Sequence, residues 1–69
     1  MYAKYAELRD SLGFTDYEVA LKTGIPQSTL YDWRQRSVKN PEAELSFGNI
    51  LKIAKLFEVN MEAFVVGDS

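Results

Sequence analysis

The stretch that most narrows the fold of this 69-residue chain runs from Thr15 to Arg36, where helix-starting and helix-stopping signals follow one another closely. Thr15 followed three residues later by Glu18 is the pattern of a capping box: the hydroxyl accepts from the Glu18 amide and the carboxylate reaches back to the Thr15 amide. Phe14 and Val19 stand where a hydrophobic staple would close over that cap. Gly24 is placed to end the helix, because glycine enters the left-handed conformation past a last turn without steric cost. Ile25 offers the turn an apolar anchor. Pro26 has its torsion pre-set for the first turn of a second helix, expected to run to about Arg36.

Val19 and Ala20 in the first of these helices, Ile25 in the turn, and Leu30 and Trp33 in the second fall where two steeply crossing helices would share one small core. Ala20, four residues before Gly24, lets the backbones approach closely. That is a helix-turn-helix arrangement. At these residues, at Leu8-Arg9 and Gly13-Phe14-Thr15 upstream and at Ile50 to Phe57 downstream, the chain resembles the Cro-like (XRE-like) phage-repressor helix-turn-helix family over nearly its whole length. The resemblance implies an all-α bundle of the lambda-repressor-like DNA-binding type.

The remaining segments predict a five-helix bundle folded as one domain over residues 1–69. Tyr2, Tyr5, Leu8 and Leu12 recur at helical intervals, giving an amphipathic helix over about 2–12 that Gly13 ends. Residues 37–45 show no periodicity, and Asn40 with Pro41 marks a turn. This connection is longer than is usual in the family, and Leu45 stands where members generally carry a proline before the next helix. Ser46 is the N-cap of a fourth helix with Leu45 and Ile50 as staple and Phe47, Ile50, Leu51, Ala54 and Phe57 as its apolar face. Asn60 opens a fifth in the same manner, with Val59 and Phe64 as staple and a body from Met61 to Val66 that Gly67 ends. One modest core gives a stability of roughly 3 to 10 kcal/mol.

Composition disfavours several classes of function. With no cysteine and no histidine, the usual disulfides, thiolate metal sites and imidazole bases are absent, and no metal or cofactor is expected. The carboxylate pairs Glu42/Glu44 and Asp16/Glu18 are two apart, so a helix would not set them side by side for acid–base work. No enzymatic activity is expected. No run of about 18 apolar residues could span a membrane, no signal peptide is evident, and a reducing cytoplasm fits. The formal charge of −2 is unusual for a nucleic-acid partner, but it is unevenly spread: Arg34, Arg36 and Lys39 face a single anion, Asp32, between Gln27 and Asn40.

If Leu30 and Trp33 point inward, Gln27, Ser28, Tyr31, Asp32 and Gln35 turn outward, with Thr29 at the boundary. In a DNA major groove glutamine pairs bidentately with adenine, serine suits several edges, and a carboxylate accepts from the cytosine amino group. The resemblance implies the same: Gln27, Ser28, Asp32 and Gln35 match the family's base-reading positions. Thr29 and Tyr31 are further candidate DNA contacts by their place on the helix. Phosphates fall to Lys22, Arg34, Arg36 and Lys39. Two positions depart from the family. Asp16, an anion expected to face phosphate, follows the capping residue where members usually carry glutamine. Arg34 follows Trp33 where they usually carry a glutamate paired with the arginine matching Arg9. Either Arg9 finds another carboxylate, or both arginines are free to approach phosphate.

The leading expectation is a sequence-specific regulator of transcription, repressor-like and of bacterial or phage type, that binds double-stranded DNA. The alternative is a protein-interaction module on the same scaffold, gripping its partner with the apolar C-terminal helix. Four phosphate cations per chain would give a salt slope of at most about −3.6, little for a lone module. A homodimer on a pseudo-palindromic operator is therefore expected, joined through Met61, Phe64 and Val65.

Overall fold

The structure, a computed structural model, describes residues 1–64. Four α-helices, α1 (Tyr2–Ser11), α2 (Asp16–Thr23), α3 (Gln27–Lys39) and α4 (Phe47–Phe57), are followed by a 3-10 turn, Met61–Phe64. The chain is all-helical among the described residues, as expected, with the 3-10 turn where a fifth α-helix was expected.

The α2 cap is the reciprocal pair read from sequence. Thr15 Oγ1 accepts from the Glu18 amide at 3.1 Å and Glu18 Oε1 accepts from the Thr15 amide at 2.9 Å. Gly24 follows with φ +82°, and its N–H donates to the Ala20 carbonyl at 2.9 Å. Pro26 stands one residue earlier than expected. It is the N-cap of α3, with ψ 139°, and its carbonyl accepts from the Thr29 amide at 3.0 Å.

Helix α3 runs three residues past the expected end at Arg36. Nothing between Arg36 and Asn40 breaks a helix. Pro41 then disfavours the α region for the residue before it, and Asn40 is extended at φ −134°, ψ 96°. The added turn shows no apolar periodicity because it projects past the core: Val38 is 76% exposed.

The core gathers Tyr5, Val19, Ala20, Ile25, Leu30, Trp33, Ala43, Leu45, Ile50, Ile53, Ala54, Phe57 and Phe64. Two of these, Ala43 and Leu45, come from the 37–45 segment. Trp33 is fully buried at the centre, its ring edge-on to Tyr2 at 5.0 Å and tilted against Tyr5 at 5.1 Å, while its indole N–H donates to the Ala43 carbonyl at 3.0 Å. Beyond Tyr5 an aromatic run continues through Phe57, stacked at 5.9 Å, to Phe64.

Four expectations need correction. Leu12 is the exposed C-cap of α1 rather than part of its apolar face, because the helix ends at Ser11. Phe47, the first residue of α4, is 70% exposed, since the core's cover over α4 begins only at Ile50; Ile53 is fully buried in its stead. The segment after Asn60 closes through an Ala63 amide donating to the Asn60 carbonyl at 2.9 Å, an i to i+3 bond that makes it 3-10. Phe64 is fully buried in its own chain, so it has no surface to give a second copy. Of the other two residues expected at a dimer contact, Met61 is half-buried and Val65 lies outside the described residues, as do Val66 and Gly67. No helix among the described residues is long and apolar enough to cross a membrane.

Candidate nucleic-acid interface

Burial of Leu30 and Trp33 settles the orientation of α3. At 100° per residue, Gln27, Ser28, Tyr31, Asp32 and Gln35 fall within an arc of about 140° on the opposite side. All five are exposed, and Thr29 is half-buried at the margin, as the sequence predicts. From Gln27 to Gln35 the face spans about 12 Å of helix axis. Three uncharged hydrogen-bonding side chains, Gln27, Ser28 and Gln35, thus lie together on a helix whose other side is locked into the core.

The alternatives left open for Arg9 resolve in favour of another carboxylate. Arg9 Nη1 donates to Asp16 Oδ1 at 2.8 Å, and Nε and Nη2 donate to Asp10 Oδ1 at 3.0 and 2.9 Å. The Tyr5 hydroxyl also donates to Asp16 Oδ1, at 2.6 Å, and the Tyr2 hydroxyl donates to Asp16 Oδ2 at 3.5 Å. Arg9 and Asp16 side chains are only 18% and 25% exposed. Asp16, in the first turn of α2, is therefore a tie between α1 and α2 and not a bare anion set against phosphate. Burial, reinforced by the Asp16 carboxylate, pushes the Tyr5 phenol far above its ordinary range and raises that of Tyr2. For Arg9 burial acts the other way, but the bonds to Asp16, Asp10 and Tyr2 outweigh it and hold the guanidinium more firmly protonated.

The four phosphate candidates divide. Lys22, Arg34 and Lys39 are exposed, with no carboxylate within 4.0 Å among the described residues. Arg36 is engaged: Nε donates to Asp32 Oδ2 at 2.9 Å and Nη1 to the Glu44 carbonyl at 3.1 Å. The i, i+4 spacing of Asp32 and Arg36 was a readable signal for that pair. The anchoring of Glu44 was not readable, because it depends on the path of the 37–45 segment. That path is now plain. Asn40 makes a local turn, its Oδ1 accepting from the Glu42 amide at 3.1 Å and its carbonyl from the Ala43 amide at 2.8 Å, and Trp33 and Arg36 each hold one later carbonyl.

A rigid helix with this face fits a major groove, where side-chain amides and hydroxyls read base edges and flanking cations meet the backbone. Comparison with known families gives a match from residue 6 to residue 64 to the Cro/C1-type (XRE) helix-turn-helix family. No match was found among curated proteins, and none among solved structures.

Proposed function

Since the chain belongs to the Cro/C1-type helix-turn-helix family, a family of DNA-binding regulatory domains, we propose that it is a sequence-specific, repressor-like regulator of transcription that reads the major groove with α3. The observation that carries this reading is the exposed Gln27, Ser28 and Gln35 face set opposite the buried Leu30 and Trp33. Gln27, Ser28, Asp32 and Gln35 contact bases, with Thr29 and Tyr31 at the edge of the contact. Arg34, Lys39 and Lys22 meet phosphates. With three such cations the salt slope of one chain is at most about −2.7, which supports two copies on a pseudo-palindromic duplex with half-sites about 34 Å apart. The protein acts where its DNA lies, in the cytoplasm.

The protein-interaction alternative drew on the apolar C-terminal segment. Phe64, its largest apolar side chain among the described residues, packs in the chain's own core, which removes support from that reading.

Selection from a pool of random duplexes tests the proposal. Enrichment of one pseudo-palindromic sequence, bound with two chains per site by sedimentation, is the expected result. Recovery of no preferred sequence would remove the regulator reading, because an acidic domain without base preference cannot find an operator.

A further inference from the structure

Asp32 presents a difficulty on a DNA-reading face. A carboxylate brought among phosphates is repelled by them unless its charge is compensated and its direction fixed. The structure provides both. Arg36, one turn on, donates from Nε to Asp32 Oδ2 at 2.9 Å and from Nη1 to the Glu44 carbonyl at 3.1 Å. The guanidinium is thus tied to α3 at one donor and to the 37–45 segment at another. Two of its five N–H donors are committed in this way, which fixes its direction toward Asp32 and Glu44. Asp32 Oδ1 accepts no hydrogen bond among the described residues, and the Asp32 side chain is 67% exposed.

On the reading of α3 as a base-reading helix, we infer that Arg36 is a positioning residue rather than a phosphate contact. It holds Asp32 as a charge-compensated acceptor for the amino group of a cytosine. The chemistry follows from the groove code: cytosine N4 is the donor a carboxylate recognises, guanine and thymine offer only acceptors there, and adenine sets its N6 donor beside the N7 acceptor, which opposes a carboxylate. Arginine suits the task because its planar, multi-donor head can bind two acceptors in fixed directions, whereas a lysine ammonium on a flexible stem would compensate the charge without fixing the carboxylate. Asp32 and Arg36 therefore act as one net-neutral unit. The operator should carry a cytosine at the step this unit faces.

The test uses the duplex selected by the parent protein and its single-base variants, at two or more salt concentrations, with thermal melts showing each variant folded. The parent should lose roughly 5- to 150-fold in affinity when that cytosine is replaced, the range for one mismatched base pair. Asp32→Ala should bring this factor below about 2-fold and leave the other positions unchanged. Arg36→Lys should lower the same factor, at the same position, with the parent's salt slope. Arg36→Ala should also lower it, and it should not make the slope shallower by about 1, the signature of a lost phosphate contact. Asp32→Ala leaving every base preference intact would overturn the inference, as would Arg36→Ala making the slope shallower with base preferences intact. A parent without base preference would instead remove the regulator reading itself, a separable outcome because it is seen before any variant is made.

Discussion

Two arginine–aspartate pairs bracket the helix-turn-helix, and they differ in surroundings more than in chemistry. Arg9–Asp16 joins α1 to α2 at 2.8 Å, with both side chains three-quarters or more covered and two tyrosine hydroxyls on the same carboxylate. Asp32–Arg36 lies along α3 at 2.9 Å with side chains 67% and 46% exposed. A pair held away from water among further hydrogen bonds is costly to break from one side, because its partners are left unmatched. An exposed pair contributes about 0 to 1 kcal/mol and remains open to a ligand. The first pair is thus architecture, and the second is free to serve recognition. Trp33 connects them, its ring against Tyr2 and Tyr5 and its indole N–H on Ala43 in the segment that Arg36 also holds.

Trp33→Ala should therefore abolish both regions together. Removing a fully buried tryptophan costs about 3 to 5 kcal/mol, comparable with the whole stability of a domain this small. Loss of the cooperative thermal transition is the expected result; a melting temperature within a few degrees of the parent would mean that Trp33 is not the connecting residue.

Asp16→Ala tests the covered pair. It takes the acceptor from the Tyr5 hydroxyl and leaves Arg9 with Asp10 as its one carboxylate, and should cost about 1 to 3 kcal/mol. For a domain of this size each 1 kcal/mol lowers the melting temperature by about 4 to 8 °C. A loss under half a kcal/mol by denaturant titration would place this pair with ordinary surface ion pairs and erase the contrast.

Asp32→Ala should destabilise by less than about 1 kcal/mol, and added salt should shrink that difference further. Chemical denaturation at low and high salt measures it. A cost equal to that of Asp16→Ala would make the exposed pair architectural too. Glu58→Gly acts in the opposite direction and lies outside both pairs, as a control on the remaining structure, read by the same denaturation. Glu58 ends α4 at φ +59°, a conformation in which glycine avoids the steric penalty of a side chain, so the variant should gain about 1 kcal/mol.

The two regions were unequally legible in the sequence. Thr15, Glu18, Gly24 and Ser46 act within four residues of themselves, and local chemistry sufficed to place them as caps and stops. Trp33 and Leu30 were readable as core because their spacing leaves one helix face apolar. The partner of Arg9 was not readable: Asp16 is seven residues away on another helix, so the contact exists only after α1 and α2 have packed. The same holds for the indole N–H of Trp33, whose acceptor is a main-chain carbonyl that any residue type could supply. Apolar periodicity misled at helix ends: it hid the last turn of α3, which outruns the core, and drew Leu12, past the end of α1, and Phe47, at the start of α4, into faces that are exposed. For the interface, the order of exposed residues on α3 came from helical geometry, whereas the tie of Arg36 to Glu44 required the path of the segment between α3 and α4.

Base readout by α3 is the central claim, and Gln27→Ala tests it most directly. Gln27 is exposed, uncharged and in the first turn of the helix, so its loss disturbs neither the core nor the phosphate electrostatics. The measurement is affinity for the selected duplex and each single-base variant, for the parent, Gln27→Ala and Arg34→Ala, at two or more salt concentrations. Gln27→Ala should cost about 1 to 3 kcal/mol on the preferred site, relax discrimination at one base pair and keep the parent's salt slope. Arg34→Ala should weaken all duplexes alike and make the slope shallower by about 1. Equal losses on every duplex for Gln27→Ala, with discrimination intact at each base pair, would contradict the account.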